Sequence, residues 1–320
     1  MRQLKTIYPF LLLLLLVSCK KDFFESVVEV DVPIHSSQLT VGAHFYDQIE
    51  AERYIVDVGH SVGIVDSTSI TAVTDAVLEL LEDGKVIVDS FELYVSKNLK
   101  NSLYFTETPI SFSPDKTYTL QVSSPEYGQL KGTQKLPTKV LIEHATYKKE
   151  SVIDRWGDRG DEISLQFSDP ANEQNYYEVR VLAEIAVTSA KESSLRGINL
   201  VTRNTPVDPL PEEVGSKLLL SDVGFDGTTY TLKLANSTSR EIRNLQRLGG
   251  RLEGAEVMLK SIGISLLSVS KDYYIFHKSL DNYKNNKDNF FAEPINVYEN
   301  IEGGIGIFTL STGDDFKIEF

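Results

Sequence analysis

The sequence runs to 320 residues with 41% apolar and 24% charged side chains, a composition that builds buried cores and excludes a disordered chain. Acidic residues number 46 against 32 basic ones, a formal charge of −14, and no basic stripe interrupts the excess, so no nucleic acid partner is expected. A single cysteine excludes a disulfide framework, thiol redox chemistry and thiolate-ligated zinc.

In chain order, Met1, Arg2 and Lys5 lead into an apolar run from Ile7 to Val17. That run is shorter than the roughly 20 residues a bilayer-spanning helix needs. A basic end, a short apolar middle and a small residue before a cleavage point describe a secretory signal peptide over residues 1–18. Leu16-Val17-Ser18-Cys19 also resembles a bacterial lipobox, which makes Cys19 the lipidated first residue of the mature protein. A plain secretory signal beside a chance cysteine is the alternative. Cleavage takes Arg2 and Lys5 away, leaving 46 acidic against 30 basic residues, or −16. Anionic headgroups would repel such a surface, so attachment to the membrane is expected through acyl chains such as palmitate on Cys19. Each buried methylene of these contributes about 0.8 kcal/mol.

Residues 19–26 read as a lipid-anchored tether. Its Lys20-Lys21-Asp22 loosely resembles an export tag for the outer bacterial surface, and a solvated linker is an equal reading. From residue 27 to 137 the pattern has period two: Val28, Val30, Val32; Leu39, Val41, Ala43; Tyr54, Val56, Val58. Such alternation predicts half-buried strands. Asp83-Gly84 between two apolar runs predicts a hairpin, because both turn residues must accept positive φ. Seven or eight short strands here predict an immunoglobulin-like or transthyretin-like sandwich.

Residues 138–320 predict a second β-sandwich-like domain with one or two short helices, making the whole mainly β. Strands are expected at Ile163–Phe167, Tyr176–Thr188, Ile198–Thr202, Leu218–Ser221, Tyr230–Leu234, Gly306–Leu310 and Phe316–Phe320. Tyr176–Thr188 is expected to be central. Ser239–Leu248, stopped by Gly249-Gly250, predicts a helix. So does Ser270–Lys284, with Ser270 as N-cap and Tyr273, Phe276, Leu280 and Tyr283 on one face.

Chemistry-bearing motifs are sparse. The histidines at 35, 44, 60, 144 and 277 fall one per segment, with no His-Glu-x-x-His pair. No phosphate loop or dinucleotide fingerprint occurs, so no cofactor is expected and an enzyme is not the leading reading. A hydrolase built on spatially paired carboxylates stays open. The loop from Asp154 to Glu162 gathers acids around Trp156. Asp154, Asp158 and Asp161 offer oxygen ligands for calcium without the EF-hand spacing, and Trp156 offers an aromatic platform for a sugar or peptide. A solvated hairpin loop accounts for the same residues. Asp222 and Asp226-Gly227 read as turn formers before ligands.

Several stretches carry a family resemblance: Phe167-Ser168-Asp169-Pro170 with Asn175-Tyr176-Tyr177, Ser221-Asp222 with Phe225-Asp226-Gly227, Asp272-Tyr273-Tyr274, and Val297-Tyr298-Glu299-Asn300 running into Gly303-Gly304-Ile305-Gly306. With the lipobox and Lys116–Leu120, the chain resembles domain-of-unknown-function family 4249 over nearly its whole mature length. The resemblance implies an outer-membrane lipoprotein in the company of a TonB-dependent transporter, and it supplies no catalytic residues. Three functions follow as expectations: a non-enzymatic accessory to that transporter, a surface module binding glycan or peptide, and, behind both, a hydrolase. The glycines of the last stretch are expected to specify fold, locking the Ser270 helix against a sheet.

Overall fold

Alternating apolar residues dominate the described chain, and in the computed structural model they form strands through most of it. The structure describes residues 35–47, 53–63, 71–94, 102–154, 157–188, 195–201, 204–207, 210–249, 256–287, 289, 293 and 295–320. Cys19 and the valines at 28, 30 and 32 lie outside these residues.

The first strands are β1 (Leu39–Asp47), β2 (Tyr54–His60), β3 (Val77–Glu82), β4 (Lys85–Val88), β5 (Glu92–Tyr94), β6 (Ser102–Thr106), β7 (Thr117–Ser124) and β8 (Gly128–Lys135). Next come β9 (Ile142–Ile153), β10 (Arg159–Ser168), β11 (Tyr176–Thr188), β12 (Leu195–Val201), β13 (Asn204–Pro206), β14 (Glu212–Val214), β15 (Lys217–Ser221) and β16 (Thr229–Asn236). Helix α1 (Thr238–Gly249), β17 (Glu256–Val269), helix α2 (Lys271–Asn286), β18 (Ile301–Glu302) and β19 (Ile305–Glu319) complete the chain.

These strands make one ten-stranded sheet, ordered β14-β15-β11-β17-β19-β1-β2-β6-β5 with β12 also on β11, and two smaller sheets, β18-β8-β7-β3-β4 and β13-β16-β10-β9. Each small sheet packs on part of the large one. Val41, Phe45, Val56 and Phe308 of the large sheet meet Leu80, Leu120 and Leu130 in the first core. Tyr177, Val179, Ile264 and Leu266 meet Ile163, Leu165 and Leu234 in the second. Ile301, Phe308 and Leu310 return to the first core from beyond residue 137, and the large sheet takes strands from both sides of that position. Residues 37–62 and 68–320 form one compact unit.

The joint is β19. Its first part pairs in parallel with β1, from Thr40↔Ile305 to Asp47↔Thr312. Its second part pairs antiparallel with β17, from Val269↔Ser311 to Ser261↔Glu319. Sequence pattern predicts two strands here, because Ser311-Thr312-Gly313-Asp314-Asp315 looks like a turn. The structure carries one strand through, with Phe308 and Leu310 in the first core and Phe316 and Ile318 against the second. At Gly306 φ is +133°, and a Cβ would stand 1.8 Å from the Val41 carbonyl oxygen. Only glycine allows the last strand to enter this close to β1.

Asp83-Gly84 makes the expected hairpin, with φ of 47° and 81°. Strand β17 has no counterpart among the sequence expectations. It is buried on both faces, Ile262, Ile264 and Leu266 in one core and Leu267 and Val269 under α2, so its apolar residues do not alternate cleanly. Strand β9, Ile142–Ile153, likewise has no counterpart among the strands expected from sequence.

Both helices fall where the three-residue spacing places them. Asp161 accepts from the Ser239 N–H at 2.6 Å and Asn236 from the Thr238 N–H at 2.8 Å, capping α1. Ser270 caps α2 by accepting from the Tyr273 N–H at 3.2 Å, a contribution of about 1 kcal/mol. The buried face of α2 is narrower than its spacing implies, since Tyr273 and Tyr274 are buried while Tyr283 is exposed. Asp272 bolts this helix to its surroundings, accepting from Tyr298 Oη at 2.6 Å and from the Asn300 amide at 3.0 Å. Asn300 in turn exchanges hydrogen bonds with the Phe308 backbone. The terminal motif therefore does lock the helix against the sheet.

Candidate functional site

On β11, Tyr177, Val179 and Val181 face the second core, so alternation sends Glu178 and Arg180 to the other face. Sequence pattern alone leaves that face in water. Helix α2 covers it instead, and Glu178 keeps only 3% of its surface exposed.

A carboxylate sealed this well needs partners, and four donor atoms from three residues reach Glu178. Arg180 approaches in a fork, Nε to Oε1 at 2.8 Å and Nη2 to Oε2 at 3.2 Å. Lys217 Nζ, from β15, stands 3.3 Å from both oxygens. The Tyr273 hydroxyl, from α2, donates to Oε2. Lys217 also donates to Tyr273 Oη at 2.6 Å. Burial pushes the Glu178 carboxyl up, but the Arg180 hydrogen bonds and charge, aided by Lys217, outweigh it and hold the group at about 2. The same burial carries Lys217 below its ordinary value despite the carboxylate.

Two histidines flank Tyr273. His44, from β1, lies 4.7 Å from its ring, with Nδ1 2.8 Å from Thr309 Oγ1 and Nε2 3.0 Å from Ser311 Oγ. His277 meets the same ring edge-on at 4.3 Å. Burial, then the nearby Arg180 charge, lowers His44 to about 3. Burial, then Lys217, lowers His277 to about 4. Both are neutral at physiological pH.

Glu178, Arg180 and Lys217 floor an open cleft of about 770 Å³ whose walls include Glu213, Gly215 and Glu241. The volume falls in the range of small-ligand sites. The carboxylate is saturated with donors and far too acidic to serve as a base near neutrality. Arg180, with its side chain 49% exposed, is the cation that reaches solvent. The arrangement suits holding a polar ligand and is poorly arranged for moving protons.

The acids singled out from sequence are dispersed. Asp154 and Asp158 share the β9–β10 turn, where the Asp158 N–H donates to Asp154 Oδ1 at 2.8 Å. Asp158 reaches Arg240 at 3.4 Å. Asp161 is fully buried, accepting from the backbone N–H of Glu150 and of Ser239. It serves as a structural cap. Trp156 lies outside the described residues.

What the structure brings together is a different set of acids. The stretches around Asp169, Asn175, Asp222 and Asp226 are far apart in sequence and form one corner at the end of the second sandwich. Phe225 stacks on Tyr230 at 4.3 Å and meets Phe167 at 6.0 Å. Gly227, at φ +67°, passes so close to Ala171 that a Cβ would stand 2.7 Å from its side chain. Those stretches are the ones that carry the family resemblance, and the family model for a domain of unknown function, DUF4249, matches residues 25–316. The chain belongs to the DUF4249 family. No curated protein matches it. Among the stretches that mark this DUF4249 chain, Asp272-Tyr273-Tyr274 supplies the bolt and the Glu178 partner already described. A strand Glu-x-Arg facing a helix Tyr-Tyr is the signal by which the buried cluster was findable.

Proposed function

We propose that this protein is an outer-membrane lipoprotein, tethered through acylated Cys19, that acts as a non-enzymatic binding or accessory component beside a TonB-dependent transporter. The observation that carries the reading is the coincidence of a basic leader, a short apolar run and the sole cysteine of the chain in Leu16-Val17-Ser18-Cys19. Among the described residues no helix is long and apolar enough to cross a membrane, so within them the reading asks nothing of a spanning helix. Desolvated neutral histidines and a saturated Glu178 favour binding over catalysis. Membership of DUF4249 is compatible with this role without specifying it.

Extraction of the tagged chain in mild detergent tests the proposal. A β-barrel transporter is expected to co-purify in near-equal amount, and a chain that runs alone would remove the reading's main support. A second reading, a surface module for glycan or peptide, is favoured by the open cleft over Arg180. A glycan or peptide array that registers binding, abolished by Arg180→Met, while no barrel protein co-purifies, would replace the first reading with the second.

A further inference from the structure

The corner of the second sandwich holds three carboxylates that no basic residue answers among the described residues. One oxygen each from Asp169, Asp222 and Asp226 lies within 4.8 Å of the others, and the first two residues are buried. None of the three forms an ion pair with a lysine or arginine among the described residues. We propose that this corner binds a calcium ion, with Asp169, Asp222 and Asp226 as charged ligands and the Asn175 side-chain oxygen as a neutral one.

Acids alone would not carry that proposal; Asn175 does. The residue is 8% exposed, and its Oδ1 has no hydrogen-bond partner. Orphaned buried acceptors of this kind are uncommon in folded proteins. Its direction follows from the ladder. The Asp222 N–H donates to the Asn175 carbonyl at 3.1 Å, extending the β11·β15 pairing one step beyond Tyr176↔Ser221. The Asn175 N–H returns to Asp222 Oδ2 at 2.7 Å. Side chains two apart share a face. Tyr177, two residues on, points inward and donates its hydroxyl to Asp169 Oδ1. Leu220, two before Asp222, lies in the second core. Asn175 and Asp222 are thus neighbours across the strand pair, turned toward Asp169. The Asn175 amide nitrogen donates to exposed Glu173 at 3.3 Å, and its buried oxygen is the atom left without a partner.

The donor set is all oxygen, with neither histidine nor cysteine, as a hard cation requires. Calcium–oxygen bonds of about 2.3–2.6 Å place opposite ligands about 4.6–5.2 Å apart, a span compatible with the carboxylate spacing. Magnesium, at about 2.0–2.1 Å, needs a tighter cage. A shallow cleft of about 400 Å³ lined by Asn172, Glu173, Asp222, Gly224 and Asp226 gives the ion entry and room for water ligands. Burial, with repulsion from Asp222 and Asp226, raises the Asp169 carboxyl despite hydrogen bonds from Tyr177 and Gly227. A bound cation would reverse that strain.

Terbium, a luminescent stand-in for calcium, tests the site because the Tyr177 phenol sits on one of its ligands. The full chain, stripped with a chelator, is expected to sensitise terbium emission on tyrosine excitation, and added calcium should quench it by displacement. Asp226→Asn, at the exposed member of the set, should weaken binding at least tenfold. Calcium should also raise the Tm of the wild type, and magnesium at equal concentration should raise it much less. Absent emission, emission unchanged in Asp226→Asn, or equal Tm shifts with the two ions would overturn the proposal. Should Asp226→Asn fail to fold, the two wild-type measurements still decide it.

Discussion

Glu178 and Asp169 are both nearly sealed from water, yet their carboxyls are driven in opposite directions. Glu178 carries its own counter-charge, since Arg180 and Lys217 reach it from the sheet and the Tyr273 phenol from α2, and it is held at about 2. Asp169 has, among the described residues, two neutral donors, Tyr177 and the Gly227 N–H, with two further carboxylates beside it, and it is raised. The comparison teaches that burial does not by itself fix a carboxyl's charge; what surrounds it does. One cluster is finished by protein atoms. The other is balanced only when a cation arrives.

Acid separates the two most strongly. Glu178 has a folded value of about 2 against an ordinary 4.5, so its stabilisation is complete above 4.5 and is lost as pH falls toward 2. His44, held at about 3 against an ordinary 6.5, stays neutral in the fold while the unfolded chain takes up a proton, so stability falls between 6.5 and 3. Asp169, raised above 3.8, acts with the opposite sign: its burial costs stability as pH rises through that value. His277, held at about 4 against an ordinary 6.5, acts with the sign of His44. Glu178 and the two histidines dominate, and Tm in chelator should drop steeply from neutrality to pH 3, a loss on the order of 5 to 10 kcal/mol at 1.36 kcal/mol per unit. His44→Gln should flatten the upper part of that drop. A flat Tm over the window would break the comparison.

Removing one cation from the finished cluster comes next. Lys217→Met leaves Glu178 with the Arg180 cation and the Tyr273 hydroxyl and should cost about 3 kcal/mol, as for other broken buried pairs, measured by urea unfolding. Tyr273→Phe deletes the hydrogen bond to Glu178 and the acceptor for Lys217 and should cost about 2 kcal/mol. Asp226→Asn in chelator is the smallest effect, within about 0.5 kcal/mol of the wild type, because it removes an exposed charge from a repulsive set. A loss at Asp226 as large as that at Lys217 would mean that the two clusters are alike.

Sequence pattern reads local matters well here. The Asp83-Gly84 turn, the Ser270 cap, the glycine entry at 306 and the central place of Tyr176–Thr188 all follow from φ preferences, capping chemistry and alternation. Partnership across the chain is another matter. Strand β17 hides because both of its faces are buried. Strand β19 looks interrupted at Thr312-Gly313-Asp314 because nothing local shows that β1 and β17 take over from one another along it. Glu178 looks like a solvent-facing residue because the helix that covers it lies about 95 positions away. Asp161 looks like a ligand until α1 is seen resting its N-terminus on it. Asp169 and Asp222 look like turn residues until the two turns are found side by side.

All of this two-core sheet is taken to work at a bilayer, and Cys19 is where that claim is most exposed to test. Cells fed labelled palmitate should place the label in the wild-type chain within the outer-membrane fraction. Cys19→Ala should take up no label and should leave the membrane. An unlabelled wild type, or a Cys19→Ala chain that remains with the membrane, would contradict the account.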